Sequence, residues 1–418
     1  MKNCILKAFI QYGAILICII FIGALLLGCV SLLPQEWLFN NIGQSAQMWY
    51  EANNPFVFDF SSPSNMLDNY TDSTIILESY YMNSFEAIWS NQHYCDDSPI
   101  TSLLTVATYS PEPNTLYSRY WGGFRVIYRF LLAFFDVVEI RRIISFSFFS
   151  LFFVAAYTFQ NKGGIIPAFL FCISVISVKP EVISNSFQYS CCFFITFIAI
   201  ILLPHNIGIS RRTLLYFFAI GCITQFFDFY TTPIITFGFP FCFYLAIKDR
   251  DNSHDSIMFL KSAVSWFCGY LMMWIAKLTC TQIFTSEPAF SIAFAQAKSR
   301  IGFNKAAGYE ETYNALKALK AVFDVFFQRT SFIVLFILLF FCFLGFCIIV
   351  RKKHVYKIKI INSIKSSSIY LCVGGLAIVW YCVAASPTVI HSWFQYRSVS
   401  LIVFSVLMFV YHSVCPEN

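Results

Sequence analysis

Asp68 and Asp72 are the side chains best spaced for acid or base chemistry in this sequence. They stand four residues apart in LDNYTD, which puts both carboxylates on one face if the segment is helical and beside an Asx cap if it is a loop. A carboxylate within reach of a hydroxyl can take its proton, and two together can hold a divalent ion against a phosphate. Arg119, Arg125, Arg129, Asp228, His391 and Arg397 suit the binding of a polar, anionic substrate. The planar arginine fork matches phosphate oxygens and keeps its charge near an apolar surface. Arg125 and Arg129 share one helical face, and Arg141 and Arg142 extend the same basic group. Each residue also has a plainer role: loop solvation for the acids, headgroup contact for the arginines, and helix termination for Asp228 just before TTP at 231–233.

The elements that must position these groups are apolar. Over 418 residues the chain is 58% hydrophobic, 19% aromatic and 12% charged, whereas a soluble domain carries about 25% charged residues. This excludes an ordinary soluble protein. About ten stretches can span a bilayer, near 10–33, 142–158, 163–180, 186–204, 213–229, 232–247, 258–276, 331–350, 368–386 and 394–412. The expected fold is an all-α polytopic membrane protein, one membrane domain over 1–418 with long extracytoplasmic loops at 34–141 and 277–330. The first stretch is longer than the core of a cleavable signal peptide. LLGC at 26–29 does not read as a lipoprotein site, because the apolar run continues through Val30, Leu32 and Leu33.

A net charge of +6 on so apolar a chain gives no reason to expect nucleic acid; the distribution over loops matters more. With Lys2 and Lys7 inside, the short inner loops hold Lys162, Arg211, Arg212, Lys248, Arg250, Lys261 and the run from Arg351 to Lys359. Short outer links hold chiefly Lys179 and Arg397. The positive-inside bias therefore predicts a multi-pass cell-membrane protein with both termini cytoplasmic. Of the 22 acids, only Asp249, Asp251, Asp255 and Glu417 fall inside, which directs the search for chemistry to the outer face.

In the first long loop, Asp72 or Ser73 is expected to cap an amphipathic helix, with Glu78 and Glu86 facing solvent or salt-bridged. The segment SRYWGGFRVIYRFLLAFF reads as interfacial, its aromatics among headgroups and its arginines reaching water or phosphate. The second loop is expected to form one or two helices over the outer face. Cys95 and Cys280 are the external cysteines that an oxidising compartment could pair. The sequence has no CxxC pair, HExxH or Walker A motif.

The order of these features resembles the integral-membrane GT-C glycosyltransferases, especially bacterial enzymes that use polyprenyl-phosphate sugars. The likeness covers roughly residues 1–245. It rests on a first outward span, the acidic element from Asp68 to Asp72, a surface helix, the aromatic and basic Arg119-Tyr120-Trp121-Gly122-Gly123, and IRRIISFSFFSLFF entering the next span. The resemblance implies a multispan helical fold and an inverting, outward-facing transfer with an aspartate base. It also implies a polyprenyl-phosphate sugar and membrane lipid as partners, with an extracytoplasmic glycan, lipid or protein as acceptor. The acidic element from Asp68 to Asp72 is not the adjacent acid pair of that family, and the sequence lacks its His-Pro-Pro element, which leaves the base open between Asp68 and Asp72. The sequence calls for no particular cofactor; a divalent cation is one that the acids could share. The competing expectations are a transporter or flippase of a lipid-linked polar substrate, which paired halves with charged, broken spans would favour, and a noncatalytic assembly protein.

Overall fold

The computed structural model describes residues 2–52, 62–203, 211–248, 255–300, 313–328 and 357–414. Apart from one isolated bridge between His93 and Thr115, the regular structure among them is helical. Helix α1 (Lys2–Ser31) opens the chain. Its apolar run has a mean hydropathy of 2.9 and is only 11% buried, so most of its side chains are left to face lipid.

After Pro34, in the segment expected on the outer face, the chain builds a packed layer, called the outer layer after that expectation, from α2 (Gln35–Ala52), α3 (Asn69–Tyr80), α4 (Phe85–Ser90), α5 (Pro99–Tyr109) and α6 (Phe124–Leu132). Short polar side chains start these helices by taking the free amides of the first turn: Asp68 for α3, Ser84 for α4 and Ser98 for α5. The layer has its own apolar core, including Ile42, Ile76, Leu103, Phe124 and Tyr128. Helix α7 (Val137–Gly163) then begins with a capping box between Asp136 and Glu139.

Next come α8 (Ile165–Ile176), α9 (Pro180–Ile183), α10 (Phe187–Leu202), α11 (Arg211–Phe227), α12 (Ile235–Ile247) and α13 (Asp255–Phe284). Helices α14 (Ala289–Arg300) and α15 (Ala315–Phe327) lie in the second long loop. The described chain closes with α16 (Lys357–Val383), α17 (Ala385–Ile390), α18 (Ser392–Gln395) and α19 (Val399–Val414). Among the described residues, 5 helical runs are long and apolar enough to cross a membrane: α1, α7, α13, Ile364–Val383 of α16, and Ser392–Ser413 ending in α19. Shorter apolar helices α8, α10 and α12 pack among them; the 12 residues of α8 reach about 18 Å, well short of a bilayer core. The apolar stretch expected at 331–350, and most of the basic run after it, lie outside the described residues.

The core of this bundle is aromatic, with Phe159, Phe171, Phe239 and Phe404 in mutual ring contact. Helices α11 and α13 cross where each carries a glycine. A Cβ on Gly221 would lie 2.0 Å from the Trp266 carbonyl oxygen, and one on Gly269 would lie 2.1 Å from that of Phe218. Small residues permit this backbone approach, which brings dispersion contacts that apolar driving force cannot supply in lipid.

Candidate functional site

Asp68 caps α3, accepting from the Thr71 amide at 3.0 Å and the Thr71 hydroxyl at 2.8 Å. The helix therefore starts at Asn69, ahead of the Asp72 or Ser73 cap expected from sequence. Asp72 lies one turn inside and is wholly buried. It meets the start of α10, accepting from Ser186 Oγ at 3.4 Å and from the Phe187 and Gln188 amides at 3.3 Å each. A helix N-terminus favours an anion, and Arg141 Nη2 adds a cation 3.3 Å away. Burial still raises the Asp72 carboxyl to about 6 against the pull of Arg141. Burial raises Asp68 as well, opposed by its bonds from Thr71.

Arg397 approaches the acids from the other end of the chain. Its guanidinium lies 4.1 Å from the Tyr189 ring centroid, a cation–π contact, and Nη1 donates to the Trp393 carbonyl at 2.8 Å. The residue is 1% exposed, yet Nε and Nη2 have no hydrogen-bond partner among the described residues. Tyr189 also donates to the Met66 carbonyl at 3.3 Å, two residues before Asp68, and follows the Phe187 and Gln188 amides that hold Asp72. Phe394 connects Tyr189, at 5.5 Å, with a stacked His391 at 5.2 Å. Burial, reinforced by Arg300, lowers His391 to about 4, leaving a neutral ring at pH 7.

Arg119 and Arg300 form the polar wall of an adjoining cavity of about 310 Å³. The rest of its lining is mostly apolar, with Phe267, Leu271 and Trp274 of α13 and Trp380 of α16 beside Gln296 of α14. Arg119 lies 3.8 Å from the Tyr117 ring centroid and Arg300 lies 4.9 Å from that of Tyr230. Arg300 also donates to the Tyr120 hydroxyl at 3.1 Å. Burial opposes ionisation of Tyr120, but the two arginines outweigh it and bring the phenol below its ordinary range. Asp228 supports this cavity from behind. It is buried, accepts from the Thr231 amide and hydroxyl at 3.0 and 2.9 Å, and accepts at 3.4 Å from Tyr270, a wall residue.

Arg125 and Arg129 are wholly buried, instead of reaching water or phosphate from an interfacial helix. Arg125 donates to the carbonyls of Ala87 at 3.1 Å, Ile88 at 2.7 Å and Gly122 at 3.2 Å. Arg129 donates to those of Val30, Ser79, Tyr80 and Leu33 at 2.5–2.9 Å and to that of Ser31 at 3.4 Å. The physical reason is the number of helix ends meeting here. The last carbonyls of α1, α3 and α4 have no intrahelical amide, and two guanidiniums satisfy them. Glu78 is also fully buried, contrary to the solvent-facing expectation. It accepts from Asn91 Nδ2 at 3.2 Å, while Asn91 Oδ1 accepts from Arg125 at 3.1 Å and from Lys277 at 3.2 Å. Burial raises Glu78 to about 8, against the attraction of Arg125 and Lys277. Glu86 is exposed.

The expected residues therefore divide. Asp68, Asp72, His391 and Arg397 gather around Tyr189 and Phe394; Arg119 and Asp228 join through Arg300, Tyr230 and Tyr270; Arg125 and Arg129 hold the outer layer together. Sequence reasoning passed over Arg300 and Tyr189. Arg300 ends α14, where a cation is expected as an ordinary helix terminus, and Tyr189 is one of 23 tyrosines. Cys95 and Cys280 are both free thiols. No group of three or more His, Cys, Asp or Glu side chains converges as a metal site among the described residues, so a divalent ion held by Asp68 or Asp72 would take its remaining oxygens from substrate and water. Comparison with described protein families, curated proteins and solved structures finds no significant match to this chain.

Proposed function

We propose that this protein is a membrane glycosyltransferase of GT-C type that moves a sugar from a polyprenyl-phosphate donor to an acceptor on the extracytoplasmic face. In this reading the chain spans the cell membrane ten times, with both termini cytoplasmic. The observation that carries the proposal is a buried guanidinium, Arg397, whose Nε and Nη2 lack partners among the described residues and which lies over Tyr189, next in sequence to the Gln188 amide that holds Asp72. A buried charge is costly unless paired, and an anionic substrate group would supply the missing acceptor. The apolar cavity beside it, with Arg119 and Arg300 at one wall, suits a donor whose chain stays in the bilayer while its phosphate meets protein.

Asp68 acts as the base, held by the Thr71 amide and hydroxyl, and Asp72 ties α3, which Asp68 caps, to the start of α10. Asp68 takes the acceptor hydroxyl proton as that oxygen attacks the anomeric carbon from the face opposite the phosphate. The bond from that carbon to the phosphate oxygen breaks, the electron pair leaves with polyprenyl phosphate, and configuration inverts. Arginines stabilise the charge that develops on the departing phosphate.

Full-length protein in proteoliposomes, given labelled polyprenyl-phosphate sugars and an acceptor panel, tests the reading. Transfer that disappears in Asp68→Asn supports it. Absence of transfer from every donor, or turnover unchanged when Asp68→Asn and Asp72→Asn are combined, overturns it. Flux of intact substrate without conversion would favour the transporter alternative.

A further inference from the structure

Lys179 and Glu181 line a separate cavity of about 200 Å³, formed where the single helical turn Pro63–Asn65 meets the link from α8 to α9. Five of its eight lining residues are polar: Ser64, Ser177, Lys179, Glu181 and Tyr396. Val325 and Phe326 of α15 give it one apolar side.

The polar wall is held in place. Lys179 has φ +60°, a left-handed conformation uncommon for a long side chain. It is buried, and its ammonium donates to Asn65 Oδ1. Ser64 Oγ shares a hydrogen bond of 2.6 Å with Ser62 Oγ, Ser177 Oγ donates to the Ser174 carbonyl at 2.7 Å, and the Tyr396 hydroxyl donates to the Val178 carbonyl at 3.1 Å. A hydroxyl that donates once keeps lone pairs to accept with. Glu181 is partly exposed and enters no ion pair among the described residues.

Such a lining selects its occupant. Hydrocarbon would strip water from two charged groups with nothing in return. A phosphate would meet the Glu181 carboxylate beside the one cation in the lining. A saccharide hydroxyl both donates and accepts, so a ring bearing several can serve carboxylate, ammonium and serine together, while its C–H face covers Phe326. The volume lies below the roughly 300 Å³ at which pockets for drug-sized ligands begin, which suits a small group.

The cavity also borders the acidic element. The Arg397 guanidinium lies 5.1 Å from the ring centroid of Tyr396, a wall residue, as well as over Tyr189. The turn that carries Ser64 continues through Met66, whose carbonyl accepts from Tyr189 at 3.3 Å, to Asp68 at the cap of α3.

We propose that this cavity binds a neutral saccharide group, and that this saccharide is the acceptor of the transfer reaction. The acceptor role rests on the glycosyltransferase reading; the saccharide site does not.

The test uses full-length protein in nanodiscs and photoreactive methyl glycosides of glucose, galactose and mannose. At least one should label peptides covering residues 177–181 or 325–326, and the unmodified glycoside should compete where inorganic phosphate and free glycine, a zwitterion, do not. Glu181→Gln, at a partly exposed position, should weaken that competition about tenfold, as for loss of a charge-assisted hydrogen bond. Ser177→Phe, which fills the cavity, should abolish labelling. Absence of labelling by all three glycosides, competition by phosphate or glycine, or labelling and competition that Glu181→Gln leaves unchanged overturns the saccharide site. Labelling that depends on Glu181, in a protein that transfers no sugar to these glycosides, keeps the site and overturns its acceptor role.

Discussion

Arg141 Nη2 stands 3.3 Å from Asp72 Oδ2, tying the first turns of α3 to the start of α7. The same carboxylate accepts the first two amides of α10. One side chain thus fixes the outer layer to two helices of the bundle, and its protonation state should register in stability as well as activity.

Asp72 has a folded pKa of about 6 against an ordinary 3.8. The folded state therefore binds this proton more tightly than the unfolded state, and the stability that Asp72 contributes is fully present below pH 4 and is lost as pH rises through 6. The shift corresponds to about 3 kcal/mol. Apparent Tm of Asp72→Asn, measured in detergent from pH 4 to 7, should lack this decline. A difference between wild type and variant that stays constant across the window would contradict the assignment.

Asp68→Asn separates capping from catalysis. Asparagine also caps helices, so Tm should move by less than about 1 kcal/mol equivalent. Loss of a general base should lower kcat by about 10²–10⁴ with little change in KM. Steady-state kinetics beside a thermal melt read both; a proportional loss of stability and activity would make Asp68 a structural cap.

Arg129 and Arg397 are both buried but should respond oppositely to methionine. Arg129→Met strips donors from five carbonyls and should cost more than about 3 kcal/mol, seen as lost expression of folded protein. Arg397→Met removes a charge with two nitrogens unpartnered among the described residues, and should keep or raise Tm while abolishing transfer. A large drop in Tm for Arg397→Met would make it architectural.

Gly122 has φ +70°, and a Cβ there would come within 2.6 Å of Arg125 Nε and 2.8 Å of Asn91 Nδ2. Gly122→Ala should destabilise the outer layer by about 1–3 kcal/mol by pushing apart the network of Asn91, Arg125 and Glu78. Limited proteolysis should then cut first between α3 and α6; an unchanged digestion pattern would refute the prediction.

The sequence by itself determined the solvent this protein was built for. Its 12% charged content and long apolar runs called for helices, because in lipid each backbone amide must be satisfied within its own segment. Helical structure in both long loops was also legible, since apolar spacing is a local property, although the first of these helices is capped by Asp68 and not by Asp72 or Ser73. Tertiary structure alone decided which arginines are free to meet a substrate. Arg125 and Arg129 carry the same local pattern as a headgroup-binding face, but three helix ends meet beside them and take their donors. Arg397 and Arg300 look unremarkable along the chain. They gain their setting only when Tyr189, Tyr230 and Tyr120, more than 60 positions away in sequence, fold against them. Burial then sets the charge of Asp72 and His391 through desolvation, a quantity that depends on the whole surrounding fold and on no neighbouring residue type.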